Sequence, residues 1–572
     1  MARIRSFCLI YCICLFGANL SAFGDEEIDG DALFDTSIVQ EIKIEIGEGD
    51  WLELCSQSRN ILVFLSGMKE ENPYNYFPGT VWVNGRKIGN VGVRKKGLFG
   101  SQDGVRPSLK IKFDEYQQQD PVSGLNRITL NNNKQDTSQL SQILTYELFR
   151  KAGIKAPRAS LAKVTVNGEF LGIYTHVESV KKPFLKRAFG NNKGDLYEGT
   201  VADFYPKALD SMEAKTNKKG KRKQITKLAE VLLEKELDME ELSNLVDLDH
   251  FIQFWVIEGL IRYWDGYSAN QNNYFYYVNP EYNKGYFIPW GTDSSFLKNG
   301  GPFNSDQKLT CLYANGYLAN RLFHQEGIPE RYKRQMEKSL DDFWDEAELG
   351  ARIDELSALL KGNLHPSQAR AAGASIEQIK SFIEGRREAI QGELANWPPE
   401  IPASPRKPMY GVKVGKATGE FSAVWRDKRS RNPTQEGKAK FNLQIDGEVV
   451  EFIQVGVAVQ EFKLPTFGQR QLNPDPPVDL VLAGERKEDG KRMTMSLYLD
   501  MEDYLSKKVG KFEVSGMISE GRGGSFAAFR NSTTKSVNGT VTLSNSSNEV
   551  GQAVTGSFDL EVVEMRGGLF RR

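Results

Sequence analysis

The proline-rich segment near residue 400 is the feature that most limits how this chain can fold. It begins at Trp397-Pro398-Pro399-Glu400-Ile401-Pro402 and continues through Pro405 and Pro408. Each proline lacks a backbone N–H and disfavours both helix interiors and central strands. The segment therefore predicts a stiff linker over residues 397–409, which divides the 572 residues into two folded parts.

The part before the linker, residues 25–396, mixes strand and helix patterns. Alternating apolar residues predict a strand over 39–46 and hairpins over 77–93 and 162–177, which turn at Asn84-Gly85 and Asn167-Gly168. Apolar residues at helical spacing predict helices over residues 138–152, 225–236, 248–263, 331–340 and 375–395. We predict an α+β fold for this part.

The part after the linker, residues 410–572, has a different pattern. Short alternating segments recur at 441–445, 478–482, 493–499, 540–543 and 556–562, separated by Gly, Asn, Asp and Ser. Such spacing is typical of an all-β module. We predict a sandwich-like β domain here.

The N-terminus has the pattern of a cleavable secretion signal. Arg3 and Arg5 precede an apolar run over residues 7–16, and small residues lead to Ala22-Phe23-Gly24. The run is shorter than the roughly 20 residues of a transmembrane helix. We predict a signal peptide over residues 1–24 and an exported protein with no transmembrane segment after cleavage. The formal net charge of −1 excludes a globally polycationic nucleic-acid binder.

The cysteines exclude two kinds of stabilising site. Cys8, Cys12 and Cys14 lie within the predicted signal, which leaves Cys55 and Cys311. Two distant cysteines form neither a disulfide framework nor a zinc cage. One bridge between them in an oxidising compartment, or two free thiols, both remain compatible with the sequence.

The segment 263–293 is where residue types and order suggest chemistry. A predicted helix ends near Asp265, a loop with Asn272 and Asn273 follows, and an aromatic hairpin leads to Trp290-Gly291-Thr292-Asp293. Phosphoryl transfer needs one carboxylate for the acceptor hydroxyl, and a second carboxylate with an amide oxygen for magnesium. Protein kinases present these groups in the same order. The alternative is structural, because Asp and Asn are common in turns.

Several short stretches before this segment share their pattern with a known family. They are Val91-Gly92-Val93-Arg94-Lys95-Lys96-Gly97, Arg106-Pro107-Ser108-Leu109-Lys110-Ile111-Lys112-Phe113, Leu130-Asn131-Asn132-Asn133 with Asp136, Tyr146-Glu147-Leu148-Phe149-Arg150-Lys151-Ala152-Gly153, Val166-Asn167-Gly168 to Gly172-Ile173-Tyr174, Glu178, and Leu196-Tyr197-Glu198-Gly199. With the segment 263–293, they make residues 34–395 resemble the CotH (spore coat protein H) kinase-like family.

The resemblance implies an atypical protein-kinase-like fold and a secreted or coat-associated kinase that uses ATP with Mg²⁺ or Mn²⁺. Asp265 matches the family's catalytic-loop aspartate, and Asn272 or Asn273 matches the asparagine before its aromatic strand. Asp293 matches the metal-binding aspartate that ends the family's Trp-Asp-x-Asp pattern. Gly291 stands where that pattern has its first aspartate, so one of the two usual carboxylates is absent.

The resemblance also suggests how nucleotide would be held. Lys110 lies on an alternating strand after a glycine-containing loop over residues 97–104, and it matches the family's strand lysine. A solvated strand face is the alternative for a lysine that alternates with Lys112. Glu147 is predicted as the ion-pair partner of Lys110, and Glu178 competes for that role.

Two functions follow from the sequence. The first is an extracytoplasmic kinase that phosphorylates Ser or Thr hydroxyls of secreted, coat or surface proteins. The second is a non-catalytic surface or coat-assembly protein that uses the kinase-like scaffold for binding, since fold does not determine function. The lysine-rich run over residues 215–223 predicts a solvated loop, with a docking surface for an acidic protein or for phosphates as the alternative.

Overall fold

A computed structural model describes residues 27–59, 73–298, 309–426, 437–461, 478–520 and 534–567. The predicted signal peptide lies outside the described residues. Helices and sheets are mixed before the proline-rich segment and strands dominate after it, so the α+β prediction is confirmed.

The first sheet is a closed barrel with the strand order β1-β2-β3-β4-β5-β7-β6. Its strands are β1 (Gln40–Ile46), β2 (Phe77–Val83), β3 (Arg86–Lys95), β4 (Leu109–Lys112), β5 (Arg127–Asn131), β6 (Ala159–Val166) and β7 (Glu169–Val177). The strand over 39–46 and both hairpins are confirmed, with turns at Asn84-Gly85 and Asn167-Gly168. All four turn residues have positive φ, as this type of turn requires. Parallel pairing of β1 with β6 closes the barrel around a core of Val, Ile and Leu side chains.

A second sheet follows the barrel, with the order β11-β10-β8-β9. It consists of β8 (Asp195–Gly199), β9 (Glu213–Ala214), β10 (Tyr274–Asn279) and β11 (Lys284–Pro289). All six residues of β10 are buried: Tyr274 and Tyr276 join the helical core, whereas Phe275 and Tyr277 pack in a separate cluster. This sheet positions the segment that the sequence singles out.

Helices pack against both of these sheets. They are α1 (Glu48–Ser56), α2 (Ser141–Lys151), α3 (Lys182–Phe189), α4 (Lys223–Leu233), α5 (Met239–Leu245), α6 (Leu248–Leu260), α7 (Tyr267–Asn270), α8 (Tyr317–Phe323), α9 (Ile328–Phe343), α10 (Glu346–Leu360) and α11 (Pro366–Leu394). The five predicted helices are present as α2, α4, α6, α9 and α11. Helix α6 ends three residues before its predicted end, because Arg262 takes a left-handed conformation with φ +52°. Helix α11 begins earlier than predicted, where His365 caps it and Pro366 occupies its first turn.

The C-terminal strands form one sheet, so the sandwich-like arrangement is corrected. They are β12 (Tyr410–Arg426), β13 (Lys438–Ile445), β14 (Glu448–Val450), β15 (Phe452–Glu461), β16 (Val478–Arg486), β17 (Arg492–Leu499), β18 (Gly510–Glu520), β19 (Lys535–Asn545) and β20 (Ala553–Arg566), with α12 (Met501–Lys507) between β17 and β18. Strand β12 pairs with β13 and β15 on one edge and with β20 on the other, which gives a barrel-like sheet around its own core. Alternating apolar residues along a strand predict that one face of its sheet is buried, and both a sandwich and a barrel bury one face.

The proline-rich segment packs against the helices before it. The Trp397 ring stacks on Tyr332 with centroids 5.7 Å apart, and Asn320 Nδ2 donates to the carbonyl of Pro402 at 2.9 Å. Its division of the chain into domains stays a prediction. Among the described residues, the helices are too short or too polar to cross a membrane. Cys55 and Cys311 are both free thiols.

Candidate active site

The loop after α6 is held by a buried carboxylate. Glu258 is fully buried and accepts hydrogen bonds from the backbone N–H groups of Tyr267 at 2.7 Å and Ser268 at 2.9 Å, and from the Ser268 hydroxyl. Burial raises the pKa of Glu258 to about 7, and these donors oppose that shift. Glu258 thereby attaches the first residues of α7 to α6, and this fixes the loop that contains Asp265.

Three asparagine amides surround the Asp265 carboxylate. Its Oδ1 accepts from Asn270 Nδ2 at 2.6 Å and from Asn272 Nδ2 at 3.1 Å, while Oδ2 accepts from Asn273 Nδ2 at 2.7 Å. Burial raises the pKa of Asp265, and the three amides oppose the shift. Because each carboxylate oxygen has two lone pairs, Oδ2 keeps one for a further donor.

The β10–β11 hairpin brings Asp293 back to Asp265. Tyr274 pairs with Pro289, and the N–H of Trp290 donates to the carbonyl of Asn273 at 3.0 Å, which extends the pairing to the loop. The Asp293 carboxyl lies close enough to Asp265 for the charge of Asp265 to affect the pKa of Asp293. Burial raises the pKa of Asp293 to about 7, and the negative charge of Asp265 is the next largest cause. The two predicted carboxylates therefore share one region.

Asn272 and Asn273 differ in what their carboxamide oxygens contact. Asn272 Oδ1 accepts from the backbone N–H of Val201 at 3.1 Å, so this oxygen is engaged by the chain. Asn273 Oδ1 faces Gly291, where a Cβ would lie only 2.7 Å from it. Gly291 also has φ +55°, a left-handed conformation that favours glycine. Of the two amide oxygens, that of Asn273 points toward the segment that contains Asp293.

Lysines and an arginine of the barrel form a cationic group near Asp293 and Glu198. Burial lowers the pKa of Lys96 to about 8, while the charges of Asp293 and Glu198 oppose that shift and Arg94 adds to it. Burial also lowers the pKa of Lys110, on β4, well below its ordinary value. The cations Arg94 and Lys96 lower it further, and the Glu198 carboxylate opposes them. Lys96 and Lys110 thus belong to one cationic group between the barrel and the second sheet.

A polar cleft adjoins Glu198. Lys215 forms ion pairs with Glu198 and with Glu213, the latter at 2.6 Å. The cleft has a volume of about 550 Å³ and is lined by Lys182, Asn192, Lys193, Lys215, Thr216, Asn217 and Lys218. The start of the lysine-rich run 215–223 is therefore part of a cleft rather than only a solvated loop.

Comparison with known proteins assigns the family. The family described as CotH kinase protein matches residues 93–390, more than half of the chain. The chain belongs to the CotH family. The predicted resemblance is thereby confirmed, and the match includes Lys96, Lys110, Asp265 and Asp293.

Three CotH relatives and one solved structure show how far the similarity extends. Inner spore coat protein H of Bacillus subtilis is 23% identical over 280 residues, which cover 47% of this chain and 75% of that protein. In Rhizopus delemar, invasin CotH3 is 29% identical over 271 residues and spore coat protein homolog 1 is 25% identical over 239 residues. These matches cover 43% and 38% of this chain but only 45% and 39% of those proteins. The crystal structure of a Helicobacter pylori proinflammatory kinase, CtkA, aligns with a TM-score of 0.28 and 11% identity over 53% of this chain and 95% of that chain.

The structure corrects the predicted ion-pair partner of Lys110 in this CotH protein. Glu147, on α2, binds Arg352 on α10, with a shortest N–O distance of 2.8 Å. Glu178 is buried between two arginines, with its carboxylate oxygens 3.1 Å from Arg158 Nη2 and 2.6 Å from Arg187 Nη2. The carboxylate whose charge acts on Lys110 is Glu198. Helical position alone suggested Glu147, but α2 presents that side chain to α10.

Lys96 and Glu198 are the residues that sequence reasoning missed. Both lie within stretches that carry the CotH resemblance, so a signal was present. Lys95 and Lys96 are adjacent at the end of β3, and their side chains leave on opposite sides. Lys95 Nζ donates to the carbonyl of Cys55 at 2.6 Å, whereas Lys96 Nζ donates to Asn131 Oδ1. Only the register of β3 shows which lysine faces Asp293.

The arrangement fits a hard divalent cation that is shared with a substrate. Among the described residues, no three His, Cys, Asp or Glu side chains converge as a metal cage would require. Mg²⁺ is commonly bound through one or two carboxylates together with phosphate oxygens, and it does not need such a cage. The Asp293 carboxylate and the oxygen of Asn273 are the groups that could hold such a cation here.

Proposed function

We propose that this CotH protein is an ATP-dependent, metal-requiring protein kinase with an atypical kinase-like fold. The observation that carries the proposal is that the β10–β11 hairpin brings the segment of Asp293 back to the loop of Asp265, with Lys96 near enough for the Asp293 charge to act on it. Phosphoryl transfer requires a carboxylate with a free lone pair, a second carboxylate with an amide oxygen, and cations that face them.

Each residue has a role that its contacts support. The acceptor hydroxyl approaches Asp265 Oδ2, which takes its proton as the hydroxyl oxygen bonds to the γ-phosphorus and the bond to the β–γ bridging oxygen breaks. Asp293 and Asn273 would hold Mg²⁺ or Mn²⁺, which neutralises phosphate charge when it is bound. Lys96 and Lys110 hold phosphate oxygens, and the negative charge of Glu198 favours the charged form of Lys110. The raised pKa of Asp265 suits a base better than an ordinary aspartate does.

The acceptor we propose is a Ser or Thr hydroxyl on a secreted, coat or surface protein. Relatives named for the spore coat and as invasins support such a location, as does the predicted signal over residues 1–24. The polar cleft lined by Lys182, Lys193 and Lys218 supports docking of an acidic part of the acceptor beside Glu198. We propose neither a nucleic-acid partner nor a transmembrane segment after cleavage.

The test is nucleotide-dependent stabilisation followed by transfer of labelled phosphate. A ligand at 100 times its Kd stabilises the folded protein by about 2.7 kcal/mol, so ATP with Mn²⁺ or Mg²⁺ should raise the Tm of the wild-type protein. Asp265→Ala should abolish transfer and keep that stabilisation, whereas Asp293→Ala should lose both. The matched control is Asp210→Ala, which removes an exposed aspartate and should change neither. If neither metal supports stabilisation by ATP or transfer of phosphate, the hypothesis of a non-catalytic binding scaffold is favoured instead.

A further inference from the structure

Arg406 lies in the proline-rich segment, beyond the residues that match the CotH family, yet it contacts the loop that contains Asp265. Its Nε donates to Gln271 Oε1 at 2.9 Å and its Nη2 donates to Asn270 Oδ1 at 3.3 Å. Its carbonyl accepts from Gln271 Nε2 at 2.7 Å, and its N–H donates to the carbonyl of Asn315 at 2.9 Å. Both the side chain and the backbone of Arg406 are thus bonded to this loop and its neighbour.

These contacts determine how Asn270 presents its amide. Arg406 donates to the oxygen of Asn270, so the Nδ2 group of Asn270 is directed to Asp265 Oδ1 at 2.6 Å. The planar guanidinium group bonds Asn270 and Gln271 at the same time, which a lysine ammonium on a flexible stem does less well. The orientation of one of the three Asp265 donors therefore depends on Arg406.

Gln271 extends the same network into the core. It has φ +53°, and its Nε2 donates to Asp203 Oδ2 at 2.7 Å as well as to Arg406. Asp203 is fully buried and also accepts from the Tyr267 hydroxyl at 3.0 Å. Residues on both sides of Asn270 are therefore joined to Arg406 through groups that are shielded from water, where hydrogen bonds are stronger.

The charge of Arg406 fits this position. Burial lowers its pKa to about 10, and the carboxylates of Asp203 and Asp265 oppose that shift. Arg406 is therefore charged at neutral pH. The segment has other attachments, Trp397 on Tyr332 and Pro402 on Asn320, so docking of the segment does not depend on Arg406 alone.

We propose that Arg406 is a positioning residue for Asp265, so that phosphotransfer depends on a residue outside the region shared with the family. The proposal rests on the proposed kinase function. In this proposal the proline-rich segment does more than connect two parts of the chain, because it also holds the loop from Asp265 to Asn273 in place.

The kinetic test compares Arg406→Ala with Lys407→Ala in the full chain. Lys407 is the exposed neighbour on the same segment, so it is the matched control. Arg406→Ala should lower kcat by about tenfold or more, because small displacements of catalytic groups have effects of that size. The KM for ATP should change less than about twofold, because Arg406 makes its contacts with the loop and with Asn315. Arg406→Lys should give an intermediate kcat, since it keeps the charge and loses the planar fork.

A second measurement does not depend on activity. Hydrogen–deuterium exchange of peptides covering residues 266–273 should be faster in Arg406→Ala than in the wild-type protein, and unchanged in Lys407→Ala. If Arg406→Ala does not fold, the same comparison is made with Arg406→Lys.

Unchanged kcat and unchanged exchange in the Arg406 variant would overturn the proposal. If the wild-type protein transfers no phosphate, the kinase function fails. The exchange comparison still decides whether Arg406 holds the loop.

Discussion

Substitution of Glu178 by alanine separates a structural role from a role in nucleotide binding. The Glu178 side chain is 2% exposed, and its oxygens lie 3.1 Å from Arg158 Nη2 and 2.6 Å from Arg187 Nη2. Removing one partner of a buried ion pair usually costs about 3–5 kcal/mol, because an uncompensated charge is left behind. Glu178→Ala should therefore destabilise the barrel.

Two features place the expected loss at the lower end of that range. The Arg187 side chain is 36% exposed and can be hydrated when its partner is lost. Arg158 keeps an ion pair with Asp31. We expect the free energy of unfolding to fall by about 3 kcal/mol, while the KM for ATP stays at the wild-type value because Glu198 is the carboxylate that acts on Lys110.

The assay is urea unfolding of the full chain together with nucleotide titration. Glu169→Ala is the matched control, since Glu169 is an exposed glutamate at the start of β7 and Glu178 directly follows the end of that strand. It should change the free energy of unfolding by no more than about 0.5 kcal/mol. If Glu178→Ala is as stable as this control and weakens ATP binding, the original assignment of Glu178 to nucleotide binding is restored.

Three further predictions concern the site and the thiols. Gly291→Ala should lower the free energy of unfolding by about 1–2 kcal/mol, because residue 291 keeps a left-handed backbone. It should also weaken Mn²⁺-dependent ATP binding in a titration, because the new Cβ displaces Asn273. Equal affinity for ATP in the variant and the wild-type protein would contradict this. The pKa of Glu258 is raised from 4.5 to about 7, so its contribution to stability is complete below pH 4.5 and is lost as the pH rises through 7. Glu258→Gln should remove roughly 3 kcal/mol of that pH dependence in urea unfolding between pH 4 and pH 8, and parallel wild-type and variant curves would be the opposing result. Burial raises the pKa of the Cys55 thiol to about 11 and also raises that of Cys311. Neither thiol should therefore react with iodoacetamide at pH 7 until the protein unfolds. A disulfide between them in the mass spectrum would argue against this.

Local signals in the sequence predicted much of this fold. Both Asn-Gly turns specify their hairpins within a few residues, and the β10–β11 hairpin is short enough that the meeting of Asp265 and Asp293 follows from one local element. Residue types and order therefore predicted that these two carboxylates lie close together.

Contacts between distant elements were not predictable in the same way. Glu147 meets Arg352 across 205 positions of the chain, and no local pattern indicates which helix faces α2. The closure of the C-terminal sheet depends on the pairing of β12 with β20, which alternation along either strand does not reveal. Long-range geometry, rather than residue type, separates the confirmed predictions from the corrected ones.

The closed barrel has a consequence for the preparation of shorter forms of the protein. The family match begins at Val93, within β3, while β1 and β2 lie earlier in the chain. A fragment cut at that residue would leave β4 without most of its neighbour and β6 without β1, and unpaired strand edges recruit other chains. Fragments intended for soluble expression should therefore start before Gln40.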